Sequence, residues 1–333
     1  MDRKSVHPFD CSRNSLRRCI LIVSFVFIFV CAGVLSSCGL GLNIENIGDV
    51  IEANISGILP SQGLGFGGLQ PPDGQEVHEI GSSKDLFYTL QDSLYSFAPD
   101  VYLKVEEYSM FSRYWDELTL AGALHSAFQI GQVQIEYDNR TPCTIRIRFA
   151  YNHAGSVMSA FFQSPSSPEF TSSEQTALFR LINKVIDETI TEDMDDFEKI
   201  IAVHDYLVVN SVYTDSEEAS YLATALSILE NGQGQCQGYS EAFAAIMIIS
   251  GVETRVISGK AFDSEMHFVP HAWNQVKVDG VWYHVDVTWN DPIPDTGKSA
   301  LHTYLLRSDE FFENDHLWSD YFPKCPTDRP LPG

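Results

Sequence analysis

The segment HAWNQVKVDGVWYHVDVTW, residues 271–289, restricts the fold of this chain more than any other stretch. Two runs of alternating residues flank Asp279-Gly280, a pair typical of a two-residue β-hairpin turn. With that turn, His271 and Asp286 become diagonal neighbours on one face, within side-chain reach. A slip of one residue in the register would separate them. The opposite face is predicted to line a core and contains Ala272, Val276, Val278, Val281, Tyr283, Val285 and Val287.

A second segment, GQGQCQGYSEAFAAIMIISG (232–251), places a cysteine where a loop turns into an apolar helix. Gly232 and Gly234 predict a bend, and Cys236 is predicted to open the helix. A helix N-terminus lowers the pKa of a thiol through its unpaired N–H groups and its dipole. The same N–H groups could hold an oxyanion. Cys236 is therefore a candidate nucleophile.

Cys236, His271 and Asp286 together provide the nucleophile, the base and the orienting carboxylate of thiol catalysis. His284 lies on the same predicted hairpin face and is the competing base. Gln235 is one candidate for an oxyanion-binding side chain, beside the neighbouring glutamines.

The spacing of His267 and His271 resembles a helical zinc motif, but the intervening Pro270 excludes the helical turn that such a motif needs. We therefore expect no metal site and no cofactor. His204 and Asp205 fall in the middle of a predicted helix, where packing or a supporting role around the site is expected.

Three motifs in order resemble the transglutaminase-like superfamily: GQCQGY around Cys236, HAWN from His271 and DVTW from Asp286. The lead-in IAVHDYLVVNSVY and the downstream HTYLLRSDEFFENDHLW resemble that family as well. The resemblance implies an α+β fold with a papain-like core, in which helices pack on an antiparallel sheet. It also implies Cys236 as nucleophile, His271 as base and Asp286 as orienting residue. The superfamily contains transglutaminases, peptidases, amide-cleaving glycanases and members without catalytic activity.

The N-terminal residues have the pattern of an export signal. Basic residues precede an apolar run from Cys19 to Leu35. Ser36, Ser37 and Cys38 follow this run, which gives the ending Leu-Ser-Ser-Cys. This ending resembles the lipobox of bacterial lipoproteins and implies cleavage after residue 37 and acylation of Cys38. An uncleaved membrane anchor is the alternative. Both interpretations place most of the chain outside the cytoplasm, in the cell envelope.

Further along, the sequence predicts a tether at 38–78, a small α/β module at 79–165 and the transglutaminase-like domain at 170–328. Within the module, a helix is predicted over 111–128, and helices at 173–190 and 193–213 open the second domain. The breaker cluster at 163–174 is the expected boundary. Cys143 and Cys325 could pair, although the sequence does not settle this.

Together, these motifs predict a membrane-anchored, protease-like thiol enzyme. It would cleave or transfer amide bonds through a thioester intermediate. Its expected substrates are proteins or cell-wall peptides. A net charge of −24 argues against binding nucleic acid. The alternative is a non-catalytic lipoprotein that keeps the fold and binds a peptide or glycan.

Overall fold

The computed structural model describes residues 68–124, 128, 133–214, 219–263, 265–291 and 299–331. The predicted export signal, the acylation site at Cys38 and most of the predicted tether lie outside these residues. Within the described ranges, no helix is both long and apolar enough to cross a membrane.

The first part of the described chain forms a four-stranded sheet with two helices. Strands β1 (Val77–Glu79), β2 (Asp100–Val105), β3 (Gln134–Tyr137) and β4 (Cys143–Arg148) lie in the order β1-β2-β4-β3. Within this sheet, β1 and β2 are parallel and the other neighbouring strands are antiparallel. Helix α1 (Ser83–Tyr95) precedes β2, and α2 (Tyr108–Leu120) follows it. Helix α2 ends earlier than predicted because the chain turns at Gly122, which has a positive φ of 66°.

A group of helices follows this sheet. They are α3 (His153–Gln163), α4 (Ser173–Thr189), α5 (Asp196–Asn210), α6 (Ala219–Leu222), α7 (Ala225–Asn231) and α8 (Cys236–Ile249). Helices α4 and α5 confirm the two predicted helices at 173–190 and 193–213. Helix α5 begins with a capping box in which Asp195 and Glu198 bind each other's backbone N–H groups. Helix α8 is buried over most of its length, which explains its nearly continuous apolar sequence.

The last part of the chain forms a five-stranded antiparallel sheet. Its strands are β7 (Thr254–Phe262), β8 (Phe268–Val278), β9 (Val281–Val285), β10 (Leu305–Arg307) and β11 (His316–Leu317), in the order β10-β9-β8-β7-β11. A short helix, α9 (Asp309–Phe312), lies between β10 and β11. Two short parallel strands, β5 (Val212–Tyr213) and β6 (Gln233–Gly234), join the end of α5 to the start of α8.

The β8–β9 hairpin has the predicted register. Val278 pairs with Val281, and Asn274 pairs with Val285. The turn residues Asp279 and Gly280 have φ angles of 52° and 82°, as a primed two-residue turn requires. The register deduced from the sequence is confirmed.

Both faces of the five-stranded sheet are buried. Ala272 and Val276 pack in one hydrophobic cluster with α8. Ile257, Trp273 and Phe312 pack in a second cluster with the β1–β4 sheet and its helices. The predicted fold class, an α+β fold with helices packed on an antiparallel sheet, is confirmed. The division into a module at 79–165 and a domain at 170–328 stays a prediction.

Candidate active site

The start of α8 fixes the position of Cys236. Gly232 ends α7 with a left-handed φ of 61°, which a residue with a side chain rarely adopts. At Gly234 a Cβ atom would lie 2.5 Å from Ile228 Cδ1 and 2.8 Å from the Leu222 carbonyl oxygen, so only glycine fits there without movement. Cys236 is the first residue of α8, and its side chain is half-buried. The predicted bend and helix start are both present.

The hairpin brings His271 and Asp286 into contact. His271 Nε2 lies 2.6 Å from Asp286 Oδ2, and the Asp286 side chain is fully buried. The second carboxylate oxygen, Oδ1, accepts a hydrogen bond from the Trp289 backbone N–H at 3.0 Å. Asp286 lies just beyond the end of β9, where its own N–H donates to the Tyr304 carbonyl at 2.9 Å. Both the position and the orientation of this carboxylate are therefore fixed by backbone contacts.

The Cys236 thiol lies within hydrogen-bonding reach of the His271 imidazole and of the Ala272 backbone N–H. Because Nε2 faces Asp286, Nδ1 is the ring nitrogen left to face the thiol. Burial raises the pKa of the Cys236 thiol, but the positive charge of His271, its hydrogen bond and the Ala272 N–H together lower this pKa below its ordinary value. The position of Cys236 at the N-terminus of α8 acts in the same direction.

The imidazole of His271 is the positive partner of this pair. Burial lowers its pKa, but the charges of Asp286 and Cys236 and their hydrogen bonds raise the pKa to about 10. Burial likewise raises the pKa of Asp286, and the charge and hydrogen bond of His271, assisted by His316, bring that pKa well below its usual range. The arrangement favours a thiolate–imidazolium pair beside an ionised carboxylate.

The competing base, His284, lies apart from the thiol. Its Nε2 faces Asp309 Oδ1 at 3.0 Å, and its Nδ1 accepts a hydrogen bond from Trp273 Nε1 at 3.0 Å. The side chain is fully buried. Both nitrogens are thus occupied, and His271 is the histidine that faces Cys236.

The other residues considered from the sequence lie around the site. His204 Nδ1 contacts Asp205 Oδ1 at 2.8 Å, and His204 Nε2 contacts Asn290 Nδ2 at 2.8 Å. His302 also contacts Asp205, at 2.7 Å. Gln235 is the N-cap residue of α8 and makes no side-chain capping hydrogen bond. Its role as an oxyanion-binding residue stays a prediction.

One residue at the site has no signal in the sequence. His316 Nε2 lies 3.1 Å from Asp286 Oδ2, the same oxygen that His271 contacts. His316 is thirty positions from Asp286 in the chain and reaches it only because the two-residue strand β11 pairs with the far edge of β7. Neither hydrophobic periodicity nor turn chemistry predicts such a pairing.

Three groups of side chains in the described ranges have the donor types that a metal ion accepts. They are His204, Asp205 and His302; His271, Asp286 and His316; and His284, Asp309 and Cys325. Hydrogen bonds of 2.6–3.1 Å link each histidine to a carboxylate in these groups. Cys143 and Cys325 are both buried free thiols, so the disulfide that the sequence left open is not formed.

The fold and the site define a papain-like thiol centre, in which a cysteine at a helix start faces a His–Asp pair on an antiparallel sheet. Within this fold, the chain contains a domain of the transglutaminase-like superfamily. The sequence model of that superfamily matches residues 183–287, which include all three motif residues.

Two known proteins of the same name are similar to part of this chain. Kyphoscoliosis peptidase of Mus musculus is 25% identical over 166 residues, which cover 46% of this chain and 24% of that protein. The Homo sapiens protein of the same name is 25% identical over 156 residues, covering 43% of this chain and 23% of the relative. The chain therefore spans about a quarter of the length of these relatives.

Among solved structures, the chain is similar to a TGase, with 15% identity, coverage of 65% of this chain and 59% of the other, and a TM-score of 0.29. It is also similar to a putative cysteine protease from Cytophaga hutchinsonii, with 16% identity, coverage of 51% and 65%, and a TM-score of 0.27.

Proposed function

We propose that this protein is a thiol enzyme that cleaves or transfers amide bonds of the peptide type. The observation that carries the proposal is the contact order Cys236–His271–Asp286, with a 2.6 Å hydrogen bond between the imidazole and the carboxylate. A cysteine with a lowered pKa, a base in contact with it and a fixed orienting carboxylate are the parts that acyl transfer to sulfur needs. No cofactor is needed for this chemistry.

The reaction proceeds in two steps. The Cys236 thiolate attacks the amide carbonyl carbon, and the oxyanion forms beside the N–H groups at the start of α8. The C–N bond then breaks, the amine takes the proton from His271 and a thioester remains on Cys236. Water, deprotonated by His271, attacks the thioester to release a carboxylic acid and return the thiol. Hydrolysis is proposed over transfer to an amine because water is always available, and the curated relatives are named as peptidases.

The surface next to Cys236 suits an extended peptide with apolar side chains. Strand alternation places Ala272 and Asn274 toward α8, since Asn274 Nδ2 donates to the Ser240 carbonyl at 3.0 Å. On the same face, beyond the start of α8, the sheet continues with an apolar ledge. The ledge consists of Phe262, Phe268, Pro270 and Leu317, and Lys260 of β7 pairs with both Pro270 and Leu317. Phe268 is 45% exposed and Leu317 is 53% exposed, so both side chains are accessible to a substrate.

The location of the enzyme follows from the sequence pattern alone. We propose that Cys38 carries the lipid and that the domain acts outside the cytoplasm, on proteins or cell-wall peptides. The acidic surface, with a net charge of −24, supports partners other than nucleic acid.

Trapping the thioester tests this function. The full chain is incubated with envelope extract, quenched in acid and digested, and Cys236 peptides are analysed by mass spectrometry. We expect an acyl adduct on Cys236, and less of it in His271→Ala, because His271 lowers the pKa of the thiol and protonates the leaving amine. The Cys236→Ala variant is the control and must show no adduct.

An absence of adducts, together with alkylation of Cys236 only above the ordinary thiol pKa of about 8.5, would favour the alternative of a non-catalytic binding protein. In that case the extract should contain a peptide or glycan that co-purifies equally with the wild-type protein and with Cys236→Ala.

A further inference from the structure

His316 is fully buried, and both of its ring nitrogens face carboxylates. Nε2 lies 3.1 Å from Asp286 Oδ2, and Nδ1 lies 2.6 Å from Asp315 Oδ1. The Asp286 side chain is also fully buried, whereas that of Asp315 is 23% exposed. A buried imidazole thus lies between the carboxylate of the candidate site and a second carboxylate nearer to solvent.

The number of protons available to these contacts is limited. A neutral imidazole has one N–H and could donate to only one of the two oxygens, leaving a lone pair directed at the other. Asp286 already accepts from His271 and from the Trp289 N–H. Asp315 Oδ2 accepts from the Tyr304 hydroxyl at 2.6 Å. Both carboxylates thus accept hydrogen bonds from other donors as well, and only an imidazolium can donate to both of them, so the proton that completes the network belongs on His316.

Aromatic rings enclose the same imidazole. The centroids of Trp289 and Phe312 each lie 4.5 Å from the His316 centroid, Trp273 lies at 4.9 Å and Tyr304 at 5.7 Å. Aromatic faces within about 6 Å attract a cation through their quadrupole. The surroundings therefore suit an imidazolium better than a neutral ring, and they exclude the water that would otherwise screen its charge.

We propose that His316 is a positioning residue, held as an imidazolium between Asp286 and Asp315, which fixes the ionised Asp286 carboxylate against His271 and thereby sets the pH range in which Cys236 is a thiolate. This inference rests on the proposed function in one respect, namely that Cys236 and His271 act as a pair. It extends the Cys–His–Asp set by a buried cation and a second carboxylate, Asp315.

The charges around His316 determine how the loss of its positive charge changes the pKa of Cys236. The titratable groups that face it are Asp286 after β9, Asp315 before β11, His271 on β8, His284 on β9 and Tyr304 before β10. Removal of one positive charge makes this enclosed site more negative. A thiolate is then less favoured and an imidazolium more favoured, so the pKa values of Cys236 and His271 both rise. The centroid distance of 5.5 Å between His271 and His316 makes a shift of about one pH unit reasonable.

The test measures the rate of Cys236 alkylation by iodoacetamide against pH in the full chain, with the modified residue identified by mass spectrometry. His316→Gln keeps an N–H donor near Asp286 but removes the charge, and the midpoint of thiolate formation should move up by about one pH unit. His284→Gln is the matched control, because it removes another buried histidine of the same sheet and should leave the midpoint in place. Equal midpoints in wild type and His316→Gln would overturn the proposal.

A second measurement covers the case in which His316→Gln does not fold. Histidine selectively labelled with ¹⁵N in the wild-type chain reports the protonation of each ring. We expect two buried histidines with both nitrogens protonated from pH 6 to pH 8: His271, and a second one that is assigned to His316 by the loss of its signals in His316→Phe or by contacts to the surrounding aromatic rings. A neutral tautomer at pH 7 would contradict the inference. Neither readout needs a substrate, so either can succeed even if no acyl-enzyme is ever found.

Discussion

Asp286 is the residue on which the site converges. Its carboxylate contacts His271, His316 and the Trp289 backbone N–H, and its side chain is shielded from solvent. A buried carboxylate is stable only when such donors replace the water it loses. Burial lowers the pKa of His271, but this carboxylate and Cys236 together raise it to about 10. The charge of Asp286 thus affects the protonation of the Cys236 thiol through the imidazole of His271.

The raised pKa of His271 has a consequence for stability. Protonation of His271 stabilises the native state fully below its unfolded pKa of about 6.5, and this stabilisation is lost as the pH rises toward 10. In Asp286→Asn the pKa is no longer raised by the carboxylate. As the pH rises from 6.5 to 10, the free energy of unfolding of the wild type should therefore fall by about 2 to 4 kcal/mol more than that of the variant.

Urea unfolding at several pH values measures this difference. The variant should also be less stable at pH 7, because it loses the charged hydrogen bonds that the buried Asp286 carboxylate makes with His271 and His316. Parallel pH curves for the two proteins would show that Asp286 does not set the pKa of His271.

Among the elements, α8 shows most directly how local chain geometry positions a reactive group. Just before its first residue, Gly234 of β6 lies against α6 and α7, where a Cβ atom would overlap Leu222 and Ile228. Because the chain is closely packed at this point, a shift by the width of a methyl group would displace the first residue of α8. That residue is Cys236.

Gly234→Ala should therefore destabilise the protein by about 1 to 3 kcal/mol and slow the alkylation of Cys236 at neutral pH. The matched control is Gly81→Ala, where the added methyl group would meet its nearest neighbour at 3.5 Å, an ordinary contact, with no positive φ. Chemical denaturation and alkylation rates, measured on both variants, check the prediction. If Gly234→Ala behaved like Gly81→Ala, close packing would not be what positions the thiol.

The ledge on β7, β8 and β11 is expected to bind apolar side chains of the substrate. Phe268→Ser should weaken the formation of acyl adducts with apolar peptides, seen as a rise in KM, while alkylation of Cys236 by the small reagent iodoacetamide stays unchanged. Leu120→Ser is the control, since Leu120 is 83% exposed at the end of α2, outside the ledge. An equal loss of adduct in both variants would indicate that replacing any exposed apolar side chain by serine has this effect, and that the ledge does not bind the substrate.

Across the described chain, the β1–β4 sheet and the five-stranded sheet share buried contacts. Phe87 of α1 packs edge-on against Phe322, with 5.4 Å between ring centroids. Glu241 of α8 accepts hydrogen bonds from the Phe128 N–H at 3.1 Å and from Asn152 Nδ2 at 2.9 Å. Burial raises the pKa of Glu241. The helix that carries the thiol is therefore tied to residues of the N-terminal part.

Removal of the N-terminal part should consequently disrupt the fold around the candidate site. A chain of residues 170–333 would expose Ile257, Trp273, Phe312 and Phe322, all now at most 3% exposed, and we expect it to aggregate or to bind a hydrophobic dye. A chain that starts at residue 68 keeps these contacts and should unfold in one cooperative transition. A stable, monomeric 170–333 fragment with a reactive thiol would instead support an independently folding domain.

Local patterns in the sequence carry much of the site. Alternation on both sides of Asp279-Gly280 is enough to place His271 beside Asp286, because strand register has a period of two and the turn allows only one pairing. The glycines before Cys236 indicate the start of α8 for a similarly local reason. Helix α3, in contrast, is not predicted by the sequence, and its buried Val157 and Met158 pack with the helices around α8.

The sequence alone determines the features that depend on turn chemistry and periodicity: the hairpin with His271 beside Asp286, and the helix start at Cys236. Only the tertiary structure decides which face of the five-stranded sheet meets which neighbour, that His284 binds Asp309, and that His316 reaches Asp286. These contacts join residues far apart in the chain through packing of whole elements, and short-range preferences contain no information about that packing.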